Sequence, residues 1–197
     1  MQRFFMRLFF SLYCFQKAYG TIIWSFFTPF SKIISRFLKT SPWMQKRLNI
    51  QGRTWEQAQK EGLSAAYESL FNERYGWNII FASVGVEAIF TIMIVNLFML
   101  PQLLITTPYF VWCMDHYTIY CVLFFCGIGY LIGKLFIFRN ERYIFFFKEY
   151  TNDTNYIRWR WHFISIAFIF LLIVLFVLLT QYVFSKESLG QIWFLRG

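Results

Sequence analysis

Apolar runs of bilayer length decide the solvent in which most of this chain must fold. They cover residues 77–100, 118–138 and 163–184. At about 1.5 Å of rise per helical residue, each crosses roughly 30 Å of hydrocarbon. Hydrocarbon offers the backbone no hydrogen bonds, so the runs must be helical. The expected fold class is all-α: an integral membrane protein with three transmembrane helices, preceded by N-terminal interfacial amphipathic helices.

Composition agrees. Of 197 residues 58% are hydrophobic and the net charge is +9, which excludes an ordinary soluble domain. Phenylalanine occurs 27 times, more rings than a soluble interior of this size could hide. Alanine, by contrast, is scarce. Phe codons are T-rich and Ala codons GC-rich, so the bias suggests an AT-rich gene, as in many mitochondrially encoded membrane subunits and some bacterial proteins. The cysteines Cys14, Cys113, Cys121 and Cys126 form no C-x-x-C. Cys121 and Cys126 stand about 140° apart around a helix, so buried thiols are expected rather than a redox pair.

Charge sets the expected topology. Arg3, Arg7, Lys17, Lys32, Arg36, Lys39, Lys46, Arg47, Arg53, Lys60 and Arg74 precede the first span, and Arg139, Arg142, Lys148, Arg158 and Arg160 follow the second. The 101–117 loop has neither Lys or Arg, and the tail only Lys186 and Arg196. The positive-inside rule then puts the N-terminus and the 139–162 loop inside, and the 101–117 loop and the C-terminus outside. Pro101 and Pro108 bracket the outer turn. Tyr109, Trp112, Tyr117 and Tyr120 on one side, and Tyr75, Trp77, Tyr156, Trp159 and Trp161 on the other, read as interfacial belts.

Four regions follow: a basic, aromatic membrane-surface arm at 1–53, an amphipathic docking helix at 54–75, a three-span membrane domain at 76–184, and a short tail at 185–197 on the opposite side. The arm has no acidic residue before Glu56. In residues 2–17 a polar stripe of Arg3, Arg7, Ser11 and Cys14 opposes Phe4, Phe5, Leu8, Phe9 and Leu12. A second amphipathic helix is expected to begin at a Thr28 cap with Pro29 in its first turn. There Phe30, Ile33, Ile34, Phe37 and Leu38 oppose Ser31, Lys32, Ser35, Arg36 and Lys39. Such helices lie in the membrane surface and attract anionic lipid. A cleavable presequence or a fourth span near residues 4–30 are the alternatives, the latter opposed by Arg7 and Lys17. Thr54-Trp55-Glu56-Gln57 fits a capping box opening the docking helix.

Glu87 is the first candidate site, about 15 Å along the helix from Trp77 and so near the midplane. Depth matching places Tyr130 and Cys126 beside it, with Lys134 nearer the inner face and snorkelling to the headgroups. Asn96 can bond across helices. Gly127, Gly129 and Gly133 mark a packing face, Gly129-x-x-x-Gly133 being the small-residue motif. Arg3, Arg7, Lys32, Arg36, Lys39, Arg158, Trp159, Arg160 and Trp161 are expected at the membrane surface. The Arg158–Trp161 alternation of bases and aromatics could suggest nucleic acid, but its place before a span favours lipid. His116 and His162 fall at opposite boundaries, so no shared metal or haem is expected, and the Asp115-His116 pair has no nucleophile beside it.

No catalytic residues, cofactor, metal, nucleic acid or small-molecule substrate is therefore expected. The expected role is a non-catalytic structural or accessory subunit of a multisubunit membrane complex, partnered by other membrane subunits and anionic lipids. The mitochondrial inner membrane (respiratory chain or ATP synthase) leads, with the N-terminus in the matrix. The alternatives are an oligomeric proton or ion path using Glu87, or a bacterial inner-membrane envelope or secretion component.

Overall fold

The computed structural model describes residues 2–103 and 116–194, and every regular element among them is helical. The helices are α1 (Gln2–Thr40), α2 (Pro42–Ile50), α3 (Trp55–Phe71), α4 (Trp77–Met99), α5 (Thr118–Gly133), α6 (Arg142–Thr151) and α7 (Asn155–Phe194). Three stretches are long and apolar enough to cross a membrane: Trp77–Gln102, Thr118–Thr151 and Asn155–Val183. This is an all-α integral membrane protein. Pro101 sits in a 3-10 turn, Leu100–Leu103, that ends α4. Pro108, Tyr109, Trp112, Cys113 and Asp115 lie outside the described residues.

By packing, the chain divides into two compact units: Met1–Ser11 with Ser83–Gly197, and Leu12–Ala82. In the first, the opening turns of α1 belong to the interior. Phe9 is fully buried, its ring 5.3 Å from Phe138, 5.8 Å from Tyr143 and 5.3 Å from Phe147. Phe10 meets Phe147 and Tyr150, Phe5 meets Phe90 on α4, and Phe4 meets Phe168 on α7. Aromatic pairs of this kind add about 0.5–1.5 kcal/mol each beyond the area they bury. The apolar side of the first turns, expected against lipid, is packed on protein: Met6, Leu8 and even Ser11 are buried. The amphipathic pattern was real, but α6 supplies the apolar surface that lipid was expected to supply.

Away from that cluster, the three spans close on Val95, Met99, Phe125 and Leu179. Asn96 reinforces this contact, its Nδ2 donating to the Leu172 carbonyl at 3.3 Å. Thr180 donates to the Phe176 carbonyl one turn back and lies 3.8 Å from Met99 Sδ.

α1 does not break at Pro29; it runs through it. Thr28 is therefore no cap. Its hydroxyl donates to the Trp24 carbonyl at 2.8 Å, and Thr21, Ser25, Ser31 and Ser35 likewise bond carbonyls three or four residues back. These back-bonds hold the hydroxyls within the helix and so ease passage through the proline, whose missing N–H would have bonded the Ser25 carbonyl. In the second unit Gly20 is buried against Asn78, and Trp24 packs edge-on to Tyr67 of α3 at 5.6 Å. The capping box at α3 forms as its sequence requires: Thr54 Oγ1 accepts from Gln57 N, and Gln57 Oε1 accepts from Thr54 N.

After α5 the helix widens into one π turn, Lys134–Phe138, and then kinks at Asn140 and Glu141, both left-handed at φ 58° and 53°. Asparagine tolerates that region and a β-branched residue does not. Asn140→Val should lower stability by about 1–2 kcal/mol, while Asn140→Gly should leave it unchanged or higher. Thermal unfolding in detergent micelles checks this, and equal midpoints for the two variants would contradict the assigned turn.

Candidate functional site

The intramembrane polar residues converge on one helix crossing. On α4, Glu87 and Thr91 stand one turn apart, and Thr91 Oγ1 donates to the Glu87 carbonyl at 2.9 Å. On α5, Gly129 and Gly133 stand at the same spacing. A Cβ built on Gly133 would lie 3.0 Å from Glu87 Cγ and 3.9 Å from its Cδ and Oε1. One built on Gly129 would collide with Thr91 Oγ1 and fall 2.9 Å from the Glu87 carbonyl oxygen. The two glycines let α5 approach closely enough for Glu87 and Thr91 to lie over its backbone.

Lys134, the first residue of the π turn, acts electrostatically on the Glu87 carboxylate. Its Nζ lies 5.2 Å from the Tyr130 ring centroid and 5.2 Å from that of Phe138, within cation–π range. The matching by depth is thereby refined. Gly129 and Gly133 meet α4 where Tyr130 and Cys126 were expected, and both of those are exposed. Gly127 packs nothing, since a Cβ there meets no atom within 4 Å. Asn96 belongs to a separate crossing, where its Oδ1 accepts no hydrogen bond from the described residues.

A second polar site was not legible in the sequence. Arg7 Nη1 bonds Asp153 Oδ2 at 2.7 Å, with about a fifth of each side chain exposed. The guanidinium carbon also lies 4.2 Å from the Tyr150 centroid and 5.0 Å from that of Trp161. Arg7 therefore joins α1 to the α6–α7 turn. The Arg158–Trp161 tetrad divides in the same way. Trp159 and Arg160 are exposed, Trp161 faces Arg7 and Phe4, and half-buried Arg158 bonds Asn155. Arg3, Lys32, Arg36 and Lys39 are exposed, as a surface role requires.

The remaining chemistry is sparse. Among the described residues no three His, Cys, Asp or Glu side chains are grouped to hold a metal. Cys14, Cys121 and Cys126 are not disulfide-bonded. His116 is exposed, and His162 packs edge-on to Trp159. In the second unit, burial pushes the Tyr13 hydroxyl above its ordinary range, with the Glu73 charge adding to the rise. The Glu87 site can hold one proton or one ion pair.

Gly129→Ala should destabilise the protein by about 1–3 kcal/mol through overpacking, and Gly127→Ala should change it by less than about 0.5 kcal/mol. Similar midpoint shifts for the two alanines would refute the crossing. Arg7→Gln should cost about 2 kcal/mol by leaving Asp153 uncompensated, and adding Asp153→Asn should recover part of it. Strictly additive losses in that double-mutant cycle would count against the pair. No protein-family model, curated protein or solved structure matches this chain.

Proposed function

We propose that this chain is a non-catalytic structural or accessory subunit of a multisubunit membrane complex. The observation that carries the reading is how its intramembrane polar groups are used. Glu87 and Thr91 lie against Gly133 and Gly129, and Asn96 bonds Leu172 across to α7. These groups fasten helices to one another. A conducting path needs a series of exchangeable sites, and Glu87 has no second intramembrane acid to pass a proton to.

The proposed setting is the mitochondrial inner membrane, in a respiratory-chain or ATP synthase assembly, with the N-terminus in the matrix and the C-terminus opposite. The Phe-rich, Ala-poor composition and the basic residues clustered before the first span and after the second support this. The proposed partners are neighbouring membrane subunits and anionic lipid, met by the exposed basic residues of α1 and by α3, none of whose residues is fully buried.

A second reading takes Glu87, an intramembrane carboxyl, as a proton- or ion-binding step in an oligomeric path. Glu87→Gln separates the two. The structural reading expects unchanged proton flux in reconstituted vesicles and a loosened assembly on a native gel. Loss of flux with an intact assembly would transfer the function to the second reading. A bacterial inner-membrane envelope or secretion role is the third, separated by the genetic compartment of the gene.

A further inference from the structure

Two opposite charges stand near each other at the α4–α5 crossing without closing into a pair. Lys134 is exposed, and its Nζ lies 5.2 Å from the Tyr130 centroid and 5.2 Å from that of Phe138, about one turn to either side. On α4, half-buried Glu87 lies over Gly133, the chain neighbour of Lys134. The Lys134 charge acts on the Glu87 carboxylate. Yet among the described residues Glu87 and Lys134 form no ion pair with each other. The two rings hold the ammonium to its own helix, against the pull of the carboxylate. Around them Val84, Leu131 and Leu135 are exposed and apolar. Arg139 marks the end of the apolar run, and Lys134 stands about 7 Å of helix before it. Contact with Gly133 sets Glu87 at the same level, within a side chain's reach of the headgroups.

We infer that Glu87 and Lys134 together bind the headgroup of an aminophospholipid, the ligand chemistry being phosphoethanolamine. The primary ammonium of the headgroup donates to the Glu87 carboxylate, and its phosphate accepts from the Lys134 ammonium. A zwitterion of this kind answers both charges at once, so neither is left uncompensated beside hydrocarbon. The chemistry is selective. A choline headgroup has no N–H to donate to Glu87, and the rings that would suit a quaternary ammonium already hold Lys134. A glycerol headgroup offers Lys134 a phosphate but brings Glu87 no cation. Gly133 completes the site, because a Cβ there would lie 3.0 Å from Glu87 Cγ and displace the carboxylate. The exposed apolar residues around the two charges suit the acyl chains of a lipid, which is therefore the source of the headgroup. This lipid is additional to the anionic ones proposed above. The inference rests on the membrane-spanning fold and not on membership of a complex.

The test uses the full chain alone in detergent, with lipid retention read by native mass spectrometry. Phosphatidylethanolamine, its N-methylated derivatives, phosphatidylcholine and phosphatidylglycerol, all with the same acyl chains, are added in turn. Phosphatidylethanolamine should be retained at least about fivefold more than phosphatidylcholine or phosphatidylglycerol, as one charge-assisted hydrogen bond allows. Retention should fall stepwise as methyl groups replace the N–H donors. That series uses only the wild-type chain, so a misfolded variant cannot imitate its outcome. Glu87→Gln should bring the preference below about twofold, and Lys134→Met should lower retention of every phospholipid, while Lys134→Arg should keep the preference. Soluble glycerophosphoethanolamine should compete only weakly, and full displacement at equal concentration would overturn the lipid as the source. Equal retention of phosphatidylethanolamine and phosphatidylcholine by the wild-type chain overturns the inference. So does a preference for phosphatidylglycerol, or a preference for phosphatidylethanolamine that Glu87→Gln leaves intact. Since no other protein is present, failure to find a native complex would leave this result standing.

Discussion

Hydrocarbon supplies no hydrogen-bond partners, so a polar group placed in it is costly unless the protein accommodates it. Three spans carry few such groups, and their answers define the fold. Thr91 bonds backwards to the Glu87 carbonyl, Asn96 reaches the Leu172 carbonyl, and Glu87 lies where Gly133 has no side chain. Polar contact and small-residue packing are thus one device: the glycines make the approach possible, and the polar side chains make it specific. The apolar contact around Val95, Met99, Phe125 and Leu179 adds dispersion and shape.

The start of α1 obeys the same constraint. Arg7 would be costly beside the spans without Asp153, and the Tyr150 and Trp161 rings add quadrupole attraction where water is scarce. Around it the phenylalanines of α1 and the aromatics of α6 form the most completely buried part of the described protein. This segment is a structural component of the fold, and α1 beyond it presents a different surface.

Much of this was readable from residues, for definable reasons. The spans were, because hydropathy over some twenty residues depends on no tertiary partner. Glu87 and the Gly129–Gly133 motif were each identifiable, one by cost and the other by spacing. That they meet was not, because the register of two apolar helices is set by packing and leaves no periodic trace. The interior place of residues 5–11 escaped because a membrane surface and an aromatic protein surface favour the same amphipathic pattern. Pro29 suggested a helix start because Thr-Pro is a good first turn, yet a proline within a serine- and threonine-rich helix is tolerated. Arg7 and Asp153 lie 146 positions apart, and no local pattern links residues so far separated.

The aromatic cluster also sets an order of assembly. Phe9 and Phe10 leave the ribosome well before their partners, for Phe138, Tyr143, Phe147 and Tyr150 are made more than a hundred residues later. The nascent N-terminal helix must wait through the insertion of two spans before its interior partners exist. Throughout that interval its rings need shelter from water, and the bilayer surface is the nearest apolar refuge.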